Sequence, residues 1–475
     1  MRIGHKSSRA GGIMGVQKRK EVPASPKANA ITEGVIWQQL LLFFFPLLFG
    51  TLFQMLYNMV DAMIVGRFVG TEALSAIGGT TAVLINLFVG VFVGVASGAT
   101  VVVAQSYGAD KDDDVEAAVH TSMAIGLLFG LAIMIFCLLL GPQMLRAMHT
   151  PETTYREALL YLRIYACGMV PNMAYNMAAG ILRAAGDSKR PLYFLMASTL
   201  CNIVLDLLFV LGFHMGVAGA AVATVLSQAL SAALALAVLM RARESYRLVP
   251  RRIRVNLRMA LKVLGIGIPA ALQSMTYSLS NIFVQTAVNG FGTATVAAWA
   301  INDKVTSLFW TILASFGIAA TTFVGQNFGA GKWERVRRCV RQSLFISTVM
   351  TIVLSVFLVA AGPVLFALFT GDAEVVALGV HMINYMVPLF FTYICIEVLS
   401  GTLRGMGDAL IPTIISVVGV CVLRTGWILI AVPRMHEIDT VMFSYPLSWS
   451  VTSVCFIIYY LYYVKKKMHR ANTAS

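Results

Sequence analysis

The sequence predicts an all-α polytopic membrane protein, with twelve transmembrane helices in two six-helix bundles related by a pseudo-two-fold axis along the membrane normal. Three observations predict it. Of the 475 residues 58% are apolar and only 12% charged, with a mean hydropathy of +0.78, whereas a soluble protein carries roughly 25% charged residues. The apolar residues fall in long runs, and neither 125–140 nor 342–370 holds a charge. About 20 such residues cross a bilayer at 1.5 Å rise per residue. The chain also repeats itself. Gln105-Ser106-Tyr107-Gly108-Ala109 recurs as Gln326-Asn327-Phe328-Gly329-Ala330, and Gly141-Pro142 as Gly362-Pro363. Leu182-Arg183-Ala184-Ala185-Gly186-Asp187 recurs as Leu403-Arg404-Gly405-Met406-Gly407-Asp408, followed by Pro191 and Pro412. Every pair is 221 residues apart. Six spans per half is an even number, so both halves enter from the same side, as in transporters that rock two halves about a central site.

The elements follow in order. Residues 1–30 are a basic tail without an apolar core, so they form no signal peptide. The N-terminal lobe, 31–240, holds spans near 35–65, 74–104, 117–141, 160–182, 192–213 and 217–239. A basic linker, 241–262, joins it to the C-terminal lobe, 263–465. That lobe holds spans near 260–288, 295–325, 342–369, 378–402, 410–432 and 441–464, and 466–475 is a second tail. The formal net charge is +14. Most Lys and Arg fall on one side of these spans, in the tails, the Arg183/Lys189/Arg190 loop, the linker and the Lys332-to-Arg341 loop. Such a bias marks the cytoplasmic face of a multi-pass protein of the plasma membrane, with both termini inside. A nucleic-acid binder would gather the charge on a soluble face, and no soluble segment is long enough to present one.

Several chemistries are excluded. The seven cysteines are scattered, with no Cys-x-x-Cys pair and no Cys/His cluster, so neither a disulfide framework nor a zinc site is expected. There is no His-Glu-x-x-His, and Gly329-Ala330-Gly331 before Lys332 lacks the pattern of a phosphate loop. No enzyme, no ATP-driven pump and no cofactor is expected; coupling to an ion gradient remains.

Charge within the hydrocarbon is costly, so an intramembrane acid is a functional candidate by default. Asp61, Asp206, Asp303 and Glu397 qualify. From helix rise, Asp61 and Asp206 lie about 9 Å and Thr224 about 12 Å below the outer surface. Asn202 sits one turn from Asp206 on the same face. Two carboxylates in low dielectric cannot both ionise cheaply unless a cation joins them, so Asp61, Asn202, Asp206 and Thr224 are the expected site for a proton or Na⁺, with Na⁺ held at Asp61 and Asp206. The bland alternative is that each acid hydrogen-bonds a neighbouring helix. Lys304 or Arg424 is expected to neutralise Asp303 or Glu397 as a structural ion pair. Pro46 and Pro269 occupy similar places in the first and seventh spans and favour kinks.

The run from Pro46 through Asp61-Ala62-Met63-Ile64-Val65-Gly66 resembles the MATE (multidrug and toxic compound extrusion) transporters, of the wider multidrug/oligosaccharidyl-lipid/polysaccharide exporter superfamily. So do Ala73-Leu74-Ser75-Ala76, the Gly329-Ala330-Gly331-Lys332 turn, and Asn202-x-x-x-Asp206 with Gly219-Ala220-Ala221 and Thr224. The resemblance covers the chain beyond its first 30 residues. It implies a monomeric secondary active exporter of small organic, often cationic, compounds in exchange for H⁺ or Na⁺, with the cation at Asp61, Asn202, Asp206 and Thr224. In the second half Asn202 and Asp206 correspond to Leu423 and Trp427, and the region of Asp61 to Phe283 and Val284. Glu397, with Tyr393 and with Gln273 and Tyr277 nearby, resembles a second cation or substrate site. The competing function is a flippase of lipid-linked precursors, whose relatives resemble a 14-span plan with a cationic cavity.

Overall fold

The structure, a computed structural model, describes residues 30–473, and the expected tail 1–30 therefore lies almost wholly outside the described residues. All regular structure among them is helical. Eleven helices are long and apolar enough to cross a membrane. In chain order the N-terminal half holds α1 Ile36–Phe68, α2 Thr71–Gly108, α3 Asp112–Ala147, α5 Lys189–Gly212 and α6 Gly216–Arg241. The other half holds α7 Leu257–Asn289, α8 Thr293–Gly329, α9 Trp333–Ala367, α10 Ala373–Gly405, α11 Leu410–Ala431 and α12 Ile438–Lys467. The twelfth, α4, is made of two pieces, Glu152–Cys167 and Met169–Ala184, meeting at Gly168. It starts earlier than the 160–182 expected because Glu152, Arg156, Glu157 and Arg163 dilute its apolar signal. Helices satisfy every backbone group internally, which the bilayer demands. Pro46 and Pro269 lie inside helices that continue through them.

The two cores do not follow the two halves of the sequence. The start of α1, with Ile36, Leu40, Phe43, Phe44, Leu47 and Leu48, is buried in the core of the C-terminal half. Phe44 stacks on Phe316 of α8 at 4.2 Å, and Phe43 meets Phe323 edge-on at 5.6 Å. Further along, the helix changes allegiance, and Ile64 and Val65 belong to the N-terminal core. α7 mirrors this. Its Met259, Ala260, Val263 and Ile266 complete the N-terminal core, while Val284 and Val288 return to the other. Where α7 crosses α2, a Cβ on Gly98 would overlap the Val263 carbonyl oxygen.

The Arg241-to-Lys262 segment divides into a loop and the first turns of α7. The loop is strapped to α3. The Val249 amide donates to His120 Nε2 at 3.0 Å, the Asn256 amide to Thr121 Oγ1 at 3.1 Å, and Arg252 pairs with Glu116 at 2.7 Å.

The duplicated Gln-containing motifs meet at the end of the bundle that also carries the basic loops, here called the basic end. Gln105 Nε2 of α2 donates to the Gly405 carbonyl of α10 at 2.8 Å. Gln326 Nε2 of α8 donates to the Ala184 carbonyl of α4 at 2.5 Å. Each donor and each acceptor is the other's counterpart at the 221-residue offset, so this is one interaction made twice across the lobes. A Cβ on Gly108 would strike the Gln326 backbone, and one on Gly329 the Gln105 backbone. The start of the chain joins in. Arg335 Nη2 donates to the Ile31 carbonyl at 3.0 Å and also to that of Gly34, and Lys332 Nζ donates to the Thr32 carbonyl at 3.1 Å.

A net hydrogen bond contributes about 0.5–1.5 kcal/mol. Replacing both Gln105 and Gln326 by Ala is therefore expected to loosen the basic end. Spin labels on either side of that end should report a longer, broader distance distribution than in the wild-type chain. An unchanged distribution would show that the backbone contact alone holds the lobes together.

Candidate functional site

Asp61 on α1, Asn202 and Asp206 on α5 and Thr224 on α6 are all at least nine-tenths buried. The structure brings them together. The carboxyl groups of Asp61 and Asp206 are close enough to feel each other's charge, with no protein hydrogen bond made by either Asp206 oxygen. One turn from Asp206, both amide atoms of Asn202 are buried without a protein partner, as are both Asp206 oxygens and Oδ1 of Asp61. Unpaired buried polar atoms cost several kcal/mol as a set unless something joins them. Two neighbouring carboxylates cannot both carry charge there alone; a shared proton or small cation would relieve the repulsion, and the Asn202 and Thr224 oxygens could serve it as neutral ligands. Among the described residues no group of three or more His, Cys, Asp or Glu could hold a metal ion. The donors are hard oxygens, suited to a proton or an alkali cation rather than to a transition metal.

A ring of tyrosines encloses this site, and sequence reasoning missed them. Tyr57 donates to Thr224 Oγ1 at 3.2 Å, Tyr161 stacks on Tyr165 at 6.1 Å, and Gln228 Nε2 donates to the Tyr165 hydroxyl at 3.1 Å. The available signal was helical spacing: Tyr57 stands four residues before Asp61, Gln228 four after Thr224, and Tyr161 and Tyr165 four apart. Local geometry also distinguishes the site. Asp206 is the last α-helical residue before a π-helical stretch, Leu207–Gly212, a departure frequent at functional sites.

In the C-terminal half the expected residues also gather. Gln273 Nε2 donates to Ser416 Oγ at 2.9 Å and to the Tyr277 hydroxyl at 3.4 Å. Glu397 lies within hydrogen-bond reach of Tyr393 and is filed against Gly317, where a Cβ would strike its carboxyl. The cation whose charge acts on Glu397 is Arg404, from the duplicated Leu403-Arg404-Gly405 turn, and not the residue expected; the two form no ion pair. The ion pairs expected for Lys304 or Arg424 do not form. Among the described residues the salt bridges are Arg190–Asp187, Arg252–Glu116, Arg338–Glu334 and His381–Asp439. Arg424 instead lies flat on Tyr445, its guanidinium carbon 4.0 Å from the ring centre. It borders a cavity of about 300 Å³ between α7, α8, α10, α11 and α12, whose walls include Trp299, Asp303, Trp310 and Trp449.

Known proteins share this plan. A family model described as MatE matches residues 46–208 and 269–427, one match in each half. A protein described as "Probable multidrug resistance protein YoeA", from Bacillus subtilis, is 28% identical over 442 residues, covering 91% of this chain and 95% of its own. A "Probable multidrug resistance protein NorM" from Thermotoga maritima is 25% identical over 376 residues, covering 78% and 80%. A solved structure described as the outward-facing conformation of a multidrug resistance MATE family transporter superposes with a TM-score of 0.86. It is 20% identical and covers 93% of this chain and 99% of that one.

Tyr57 and Thr224 form one hydrogen-bonded unit, so their substitutions should not add. Tyr57→Phe and Thr224→Val are each expected to lower stability by about 0.5–1.5 kcal/mol, and the double variant by clearly less than their sum. Thermal unfolding of the four proteins in one detergent measures this. Simple additivity would show that the 3.2 Å contact contributes nothing of its own.

Proposed function

Since the chain belongs to the MatE family, we propose that it is a secondary active multidrug exporter of the cell membrane, driving small organic compounds, often cationic ones, outward in exchange for H⁺ or Na⁺. The observation that carries this reading is the carboxyl pair of Asp61 and Asp206, buried beside an Asn202 amide with no protein partner. A pair that must take up a cation to relieve its repulsion can couple cation entry to a change in lobe packing, because Asp61 rides on the helix whose other end is buried in the opposite lobe. Lipid-linked precursor flipping is set aside: both relatives above carry multidrug names.

The basic end is read as cytoplasmic, because Lys and Arg concentrate there. In that orientation the Gln105 and Gln326 contacts close the cytoplasmic side, and both cation-site acids lie toward the outer surface, where a driving cation would enter. Arg251 lies in the exposed basic loop. In a chain whose seven cysteines have been replaced, Arg251→Cys is expected to resist an impermeant thiol reagent added to intact cells and to react after lysis. Prompt labelling from outside would invert the topology.

Asp206→Asn keeps the shape of the side chain and removes the repulsion, so folding and insertion should persist while gradient-driven efflux is lost. Efflux of a fluorescent organic cation from cells, with the pH and Na⁺ gradients imposed separately, reads this and identifies the ion. Undiminished coupled efflux by the variant at equal expression would move the cation site elsewhere, with Glu397 the next place to look.

A further inference from the structure

The cavity in the C-terminal half occupies the place that the cation site holds in the N-terminal half. At the offset of 221 residues, Tyr445, Ser448 and Trp449 on α12 stand where α6 carries Thr224, Ser227 and Gln228, and Met386 stands where α4 carries Tyr165. Aligning α1 and α7 on Pro46 and Pro269 puts Ser280 and Val284 at the positions of Tyr57 and Asp61. Tyr445, Trp449, Met386, Ser280 and Val284 all line the cavity. The duplicated place is therefore kept while its chemistry is reversed. Asp61 has become Val284, Asp206 has become Trp427, and a cation, Arg424, stands next to Leu423, the counterpart of Asn202. A π-helical stretch, Val417–Val422, again flanks the charged position.

Arg424 is only 5% exposed. One guanidinium nitrogen donates to Ser448 Oγ at 3.3 Å, the group lies over Tyr445 and, at 5.9 Å, over Trp449, and Nε has no partner. It belongs to none of the ion pairs among the described residues. Asp303 lines the same cavity without bridging to it. One neutral hydroxyl and two ring faces leave most of a buried guanidinium's five donors unsatisfied, and the group that satisfies them best is a carboxylate, taken by two parallel hydrogen bonds. One side of the remaining wall is aromatic and interlocked: Trp310 meets Tyr393 at 5.1 Å and Trp449 at 5.7 Å, and Phe390 meets Trp449 at 5.9 Å; the other side, with Asn281, Gln285, Asn302, Asp303 and Thr306, is polar. A volume of about 300 Å³ suits a compact one- or two-ring molecule.

We propose that this cavity is a binding site for aromatic carboxylates, with the carboxylate on Arg424 and the rings packed against Trp310, Tyr445 and Trp449. The proposal rests on the exporter reading only in calling such compounds substrates; binding itself is independent of it. The two halves would then divide the work, the acidic site taking the driving cation and the basic one the organic anion.

Tryptophan fluorescence of the purified full-length protein tests this with three probes of one shape: 2-naphthoate, the neutral 2-naphthamide and the cationic 2-naphthylmethylammonium. The naphthoate is expected to bind about tenfold or more tighter than either of the others, the discrimination typical of hydrogen bonds to a charged group. Arg424→Gln should remove that preference while leaving the amide's affinity within about threefold. Arg424→Lys, which keeps the charge but not the fork, should retain part of the preference and serves if the first variant does not fold. Asp303→Asn should leave naphthoate binding unchanged or tighter. Equal affinity for naphthoate and amide, a preference for the ammonium probe, or a naphthoate preference that survives Arg424→Gln would each overturn the proposal. Loss of dye efflux by the wild-type chain with naphthoate binding intact would instead overturn the exporter reading and leave this site standing.

Discussion

The constraint on which the rest depends is that each half completes the other's core with its first helix. α1 begins among Phe316 and Phe323 and ends in the N-terminal core, where its Tyr57 bonds Thr224. α7 does the converse. Neither helix can tilt without disturbing both lobes, so a charge change at Asp61 is mechanically linked to the packing of Phe44 on the far side. The reciprocal Gln105 and Gln326 contacts are the second half of that constraint. They fix the basic ends at one separation, and the glycines beside them set it as short as backbone allows.

Within that frame the two lobes have diverged in charge while keeping position. Buried ionic groups are tolerated when partnered, and each lobe leaves its own kind incompletely partnered: acids in one, a guanidinium in the other. The duplication supplied two equivalent hollows, and substitution at a handful of aligned positions gave them different charged groups, Asp61 and Asp206 in one and Arg424 in the other. Glu397 belongs to neither hollow. It is packed against Gly317 in the second lobe, with Arg404 the cation that acts on it without forming an ion pair.

Much of this was legible in the sequence. The 221-residue repeat announced the two-lobed plan, and helix rise alone put Asp61, Asp206 and Thr224 at one depth. The tyrosines around them went unread because aromatic residues are common in spanning helices and only their four-residue spacing from the acids marks them. The fourth helix was read short because its polar first turns look like a loop to any hydropathy argument. The crossing of α1 and α7 between cores was invisible, since an apolar helix face carries no sign of which apolar surface it will meet. Arg424 was misread for a related reason. Charge complementarity suggested a nearby acid, and nothing in the residue pattern shows that Tyr445 and Trp449, on the next helix, would lie beneath it.

The crossing also orders the birth of the molecule. When the first span leaves the ribosome, the surface against which Leu40, Phe43 and Phe44 will pack has not been made. At about 5–20 residues per second, tens of seconds pass before α8 emerges. Until then the start of α1 lacks its partner surface, while α7, made just before α8, already brings the stretch that fills the N-terminal core. The first half is thus inserted before its core can close, and each bundle is completed by a helix that belongs in sequence to the other.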